Sequence, residues 1–137
     1  MQYSELKVLI VDDMSVMRTI LKSLLNNMGI KDVMEAADGE MALQTLQENK
    51  IDLILSDWNM PRMTGIELLR RVREDIVLQN IPFVMISAEA TGENIAQAIL
   101  LHVSQYLIKP VSAAQLEQKI HPLLVGITCS ATSHAAA

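Results

Sequence analysis

The sequence predicts an α/β fold, a doubly wound parallel sheet of five strands with helices on both faces. Two observations carry this. Short apolar, β-branched runs alternate five times with segments of helical period. The connections between them are too short to hold separate domains, so strand, helix and strand follow as right-handed crossovers in one sheet. A chain of 137 residues is then most simply one domain with a real hydrophobic core.

Residues 6–11 form a β-branched run closed by Asp12 and Asp13, hence a buried strand. From Ser15 to Met28 the period changes: Val16, Ile20, Leu24 and Met28 fall four apart with Leu21 and Leu25 beside them, and Gly29 stops the helix. Residues 32–36 are a weaker strand, and Asp38 caps a helix to about Glu48. Residues 51–55 are the third strand. Thr64 and Glu67 make a capping box for a helix to about Arg73. Residues 81–86 are the fourth strand, with Pro82 near its start, where a missing N–H matters least. Thr91 caps a helix through Leu101, residues 106–108 form a short fifth strand, and Ser112 with Gln115 opens the last helix.

Composition narrows the function. Half the residues are apolar and 20% are charged, a globular balance. The net charge of −5 argues against nucleic acid and anionic membrane as partners. The single cysteine, Cys129, forbids an internal disulfide and fits a reducing compartment. No apolar run is long enough to cross a bilayer, and the start MQYSELKVLIVDD has no signal-peptide pattern, so the expected location is cytoplasmic.

In open parallel sheets, ligands bind beyond the carboxyl ends of the strands. Asp12 and Asp13 stand there after the first strand, Asp57 after the third, Ser87 after the fourth and Lys109 after the fifth. Clustered carboxylates raise one another's pKa, and a hard divalent cation relieves them. Mg²⁺, or Mn²⁺ in its place, suits all-oxygen donors. A carboxylate also attacks phosphorus to form an aspartyl phosphate, provided that cations neutralise the transferring oxygens. Three acids, a hydroxyl and a lysine suffice for reversible phosphorylation of one aspartate.

The local patterns are VDD-S-MR at residues 11–18, EA-DG at 35–39, SDWNMP-M-G-ELL at 56–69, SAEA--ENI at 87–95 and YLIKP at 106–110. On these the chain resembles the receiver domains of bacterial two-component signalling over about residues 6–119, and among them the CheY-like single-domain response regulators. The resemblance implies a flavodoxin-like (βα)5 sheet of strand order 2-1-3-4-5. It implies Asp57 as phosphoacceptor, with Asp13, Asp12 (mainly through a bound water) and the backbone carbonyl of Asn59 completing a Mg²⁺ site. Lys109 would pair with the phosphoryl group, Ser87 would hydrogen-bond it, and small Ala88 would leave access. Asn59 and Glu89 would tune a slow autodephosphorylation, without turnover of external substrates. Ser87 and Tyr106 would form the switch, and Lys109-Pro110 would be cis. The implied partners are a histidine kinase and a downstream protein, in chemotaxis-type signalling. That protein would bind the face of the fourth helix, fifth strand and fifth helix: Ala90, Ile95, Ile99, His102, Tyr106, Ile108, Val111 and Lys119.

The chain departs from the pattern on that face. The usual Gly-Ala after the fourth helix is His102-Val103, a second usual glycine is Gln105, the usual phenylalanine after Lys109-Pro110 is Val111, and Pro122 falls inside the last helix, where it should kink or end it. The expectation is a face that pairs with itself, as a homodimer, or with a partner other than the usual flagellar switch component. The bland readings are Trp58 as surface packing, the methionines as core filler, the Ile95–Ile99–His102 stripe as core or interface, and Cys129 as an incidental thiol. Residues 1–125 form the receiver; 126–137 are small and polar, a disordered tail, linker stub or expression scar. Three alternatives stand beside this: a receiver fragment of a longer regulator, a phosphate-independent pseudo-receiver, and a phosphoester hydrolase. Asn59 stands where the hydrolase would need its general acid.

Overall fold

The apolar runs pair into one parallel sheet in the order β2-β1-β3-β4-β5, with β1 (Lys7–Val11), β2 (Asp32–Ala36), β3 (Leu53–Asp57), β4 (Phe83–Ser87) and β5 (Gln105–Ile108). The computed structural model describes residues 3–89 and 91–136. Between and after the strands run α1 (Ser15–Asn27), α2 (Gly39–Glu48), α3 (Gly65–Glu74), α4 (Gly92–Leu100) and α5 (Ala113–Ala136).

Alternation along the strands divides the core in two. Leu9, Val11, Ile54, Phe83 and Met85 face α2, α3 and α4, meeting Leu46, Leu68, Leu69, Val72 and Ala98. Val8, Ile10, Leu53, Leu55, Val84, Ile86 and Leu107 face α1 and α5, meeting Leu21, Leu25, Leu116, Ile120 and Leu124. The inner strands β1, β3 and β4 are buried on both faces, which is why they read as unbroken apolar runs.

The predicted N-caps form, although of the Thr64–Glu67 box only the bond accepted by Thr64 is made among the described residues. Asp38 accepts the Met41 N–H, Thr64 that of Glu67 and Thr91 that of Asn94. Ser112 and Gln115 bond each other reciprocally, at 3.1 Å and 3.4 Å. Gly29 takes φ +93 after α1.

Four expectations need correction. β3 and β4 begin two residues late. Before β3, Asp52 bonds Lys7 twice, its side chain accepting the Lys7 N–H and its own N–H reaching the Lys7 carbonyl, and regular pairing opens at Val8 with Leu53. Asp57 is therefore the last residue of its strand. On α1 the buried stripe is Leu21 and Leu25, whereas Val16 is 65% and Ile20 46% exposed. The third correction is Trp58, which packs in the core. Finally, α5 does not end at Pro122; helix runs from Ala113 to Ala136. Pro122 and Gln118, whose carbonyl loses its helical donor, are both exposed, so water can satisfy the orphaned group.

Candidate functional site

Strand register assembles the site. Val11 pairs with Ser56, which sets Asp12 beside Asp57. Ser87 pairs with Ile108, which sets Lys109 at the same edge, and the Lys109 N–H bonds the Ser87 carbonyl at 2.8 Å. The Lys109-Pro110 peptide is cis.

Asp12 and Asp57 are buried and Asp13 is exposed; one carboxylate oxygen of each lies within 4.8 Å of the others. Lys109 Nζ sits 3.2 Å from Asp57 Oδ1 and 3.3 Å from Asp12 Oδ2. Asp12 Oδ1 also accepts the Met14 N–H at 2.9 Å, and Asp57 Oδ1 the Trp58 N–H at 2.9 Å. Among the described residues no hydrogen bond reaches Asp57 Oδ2, so one oxygen of the pair is uncommitted. Burial and then the Asp12 charge push the Asp57 carboxyl above its usual pKa; Lys109 opposes both. One lysine does not balance three acids at this spacing. An all-oxygen set of this kind, open on the Asp13 side, fits a hard divalent cation.

The loop after Asp57 is held from beneath. Trp58, Met60 and Met63 are buried while Asn59 is exposed, and the Gly65 N–H closes the loop on the Trp58 carbonyl at 2.8 Å. Gly65 is required there, since any Cβ would run into the Asp57 carbonyl.

Two residues lead away from the acids. Ser87, fully buried, accepts the Glu89 N–H on its hydroxyl at 3.1 Å, and Tyr106 donates its hydroxyl to the Glu89 carbonyl at 3.0 Å. The Tyr106 ring lies 6.4 Å from that of Trp58. The single residue Glu89 thus joins the acid edge to β5, with its own side chain and Ala88 exposed.

The named output residues spread over α4, β5 and α5. Ile95, Tyr106 and Val111 are half-buried; Ile99, His102, Ile108 and Lys119 are exposed, so the α4 stripe is surface rather than core. His102 takes φ 60, as its place in a glycine position predicts, whereas Gln105 is ordinary strand. Ala90 lies outside the described residues, as does the side chain of Cys129. Sequence reasoning missed Arg18, Glu35, Arg62 and Asp38 as neighbours of the site, although two of the quoted patterns contain three of them. A cleft of about 630 Å³ between Ile51, Pro82, Pro122 and Ile127 lies at the opposite edge of the sheet and gathers no comparable acid cluster.

Comparison with known proteins agrees with this geometry. The response regulator receiver domain family matches residues 8–121. The chain is 45% identical over 115 residues to chemotaxis protein CheY-3 of Vibrio cholerae, covering 84% of this chain and 88% of that protein. It is 45% identical over 118 residues to chemotaxis protein CheY of Pseudomonas aeruginosa, covering 86% and 95%. The crystal structure of Vibrio cholerae CheY4 superposes with a TM-score of 0.80 at 32% identity, covering 86% of this chain and 98% of that one. Strand order, the acid edge and these likenesses together mean that the chain belongs to the response regulator receiver family, as a CheY-like phosphoacceptor of bacterial signal transduction.

Proposed function

We propose that Asp57 is the phosphoacceptor, receiving its phosphoryl group from the phosphohistidine of a histidine kinase. The observation that carries this is Lys109 Nζ poised between Asp57 and Asp12 while Asp57 Oδ2 stays uncommitted. Asp57 attacks the phosphorus in line; the new O–P bond forms as the P–N bond to the kinase imidazole breaks, and the imidazole leaves with its electron pair. Lys109 meets the charge on the transferred oxygens, and Ser87 hydrogen-bonds one of them. Asp12, Asp13, Asp57 and the Asn59 carbonyl would hold Mg²⁺ or Mn²⁺, which when bound screens the acids from one another and neutralises phosphoryl oxygen charge.

The added charge draws Ser87 toward the phosphoryl group. Its bond to the Glu89 N–H then changes, and with it the Glu89 carbonyl that Tyr106 holds. Phosphorylation need only favour one of two pre-existing arrangements by a few kcal/mol. The readout is the face of α4, β5 and α5, binding a downstream protein or a second copy of the chain. Asn59 and Glu89, exposed beside the site, tune slow autodephosphorylation. The relatives' naming as chemotaxis proteins supports a chemotaxis-type pathway in the cytoplasm, and no helix among the described residues is long and apolar enough to cross a membrane.

Trp58 tests this directly. Its N–H is bonded to Asp57, so its fluorescence should change on adding Mg²⁺ and again on adding an acyl-phosphate donor. The second change should vanish in Asp57→Asn. A second change that persists in that variant removes Asp57 from the role.

A further inference from the structure

Two of the sequence patterns, at residues 11–18 and 35–39, carry an arginine and acids that the phosphoryl chemistry leaves unused. Arg18 reaches back from α1, donating to the Asp12 carbonyl at 2.6 Å and through Nε to Glu35 Oε1 at 3.1 Å. Lys22 lies 3.9 Å from the other Glu35 oxygen. On its other side, the Asp12 N–H bonds the carbonyl of Ala36 at 3.1 Å. Both peptide groups of Asp12 are therefore tied to the end of β2. The peptide that Arg18 holds is the one joining Asp12 to Asp13, so it sets the direction of both carboxylates.

A second tie lies on the far side of the acids. Arg62 takes φ 68, a backbone state that costs a non-glycine residue about 1–2 kcal/mol. Its guanidinium donates to Asp38 Oδ2 at 3.3 Å, while the other oxygen of this buried acid caps α2 at 2.9 Å. Arg62 lies three residues past Asn59, whose carbonyl is the remaining candidate ligand. Thus the β2–α2 corner anchors both loops that carry metal ligands.

We propose that Arg18 and Arg62 are positioning residues for the divalent cation, anchored on Glu35 and Asp38, and that they set its affinity without touching it. This rests on the reading of Asp12, Asp13 and Asp57 as the Mg²⁺ site. The two arginines are also cations near that site, and charge and position make opposite demands. Removing the Arg18 charge strengthens Mg²⁺ binding if electrostatics governs, because one competing cation is gone. It weakens binding if positioning governs.

The experiment is a Mg²⁺ titration of the full chain without phosphodonor, followed by calorimetry and Trp58 fluorescence, with a thermal melt for each variant. Arg18→Ala and Arg18→Lys should both raise the dissociation constant about tenfold, as loss of outer-shell support does at metal sites. Lysine keeps the charge but not the fork that spans the Asp12 carbonyl and Glu35. Arg62→Asn, which tolerates the same backbone state, should raise it by a smaller factor. Melting temperatures near that of the parent show that folding is not the cause. A parent that binds Mg²⁺ with Arg18 variants that bind it equally or more tightly overturns the positioning role alone. A parent that takes up no Mg²⁺ overturns the metal site and the positioning role together.

Discussion

At the carboxyl edge of the sheet, the buried acids are held by named partners: Asp12 by Met14 and Lys109, Asp57 by Trp58 and Lys109. On the face of α4 and β5, apolar side chains stand in water, with Leu100 77%, Ile99 62% and Ile108 44% exposed. The first region fixes atoms in place because phosphoryl transfer needs them aligned before reaction. The second offers water-covered hydrocarbon whose release can drive association. Glu89 joins them, gripped by Ser87 on one side and Tyr106 on the other. The departures from the family pattern, at His102, Val103, Gln105 and Val111, fall on the side of α4 and β5 and leave the acid edge unchanged.

Substitutions at the acid edge should have the largest effects. Lys109→Ala should slow phosphorylation by a donor about 10²–10³-fold, as loss of one transition-state partner does. A stopped-flow fluorescence rate equal to the parent's would break the contrast at once. Gly65→Ala should cost about 1–3 kcal/mol in urea unfolding, because the methyl meets the Asp57 carbonyl with nowhere to go.

Metal-free Asp57→Asn should be more stable than the parent at neutral pH. Burial and Asp12 raise the Asp57 pKa in the fold, so the native state holds its proton longer than the unfolded chain. Charging Asp57 then costs stability as pH rises from the unfolded value of 3.8 through the folded one, and costs nothing below 3.8. The advantage of Asn should shrink as pH falls through that window; a gap independent of pH would sharpen the account toward packing alone.

The proposed recognition face should respond more gently. His102→Gly should gain about 0.5–1 kcal/mol, relief of the left-handed backbone less the extra freedom of glycine when unfolded. Loss of stability instead would give the imidazole a structural part. Leu100→Ser should change stability by less than about 0.5 kcal/mol yet weaken the proposed pairing of this face with a second phosphorylated copy, read by sedimentation. A phosphorylated parent that stays monomeric and binds the usual flagellar switch component tightly would return this face to the family pattern.

Much of this was legible in the sequence for physical reasons. Caps such as Asp38 and Thr91 are local bonds between near neighbours, so spacing reveals them. Lys109 before Pro110, and acids after β-branched runs, mark strand ends. What was illegible depends on distance in three dimensions. Val16 and Ile20 share a helical spacing with buried neighbours, but the sheet covers too narrow a strip of α1 to reach them. Trp58 is buried because Met60 and Met63 fold under the same loop. Arg18 finds Glu35 across the rest of α1 and the turn into β2, a pairing with no periodic signal.

The most direct measurement is to locate the phosphoryl group. The protein is phosphorylated in Mg²⁺ with an acyl-phosphate donor, then treated with borohydride, which reduces an aspartyl phosphate to homoserine and releases phosphate. Peptide mass mapping should find homoserine at position 57 and leave positions 12 and 13 as aspartate. Homoserine at 12 or 13, or an unreduced phosphate on a serine or histidine, would contradict the account.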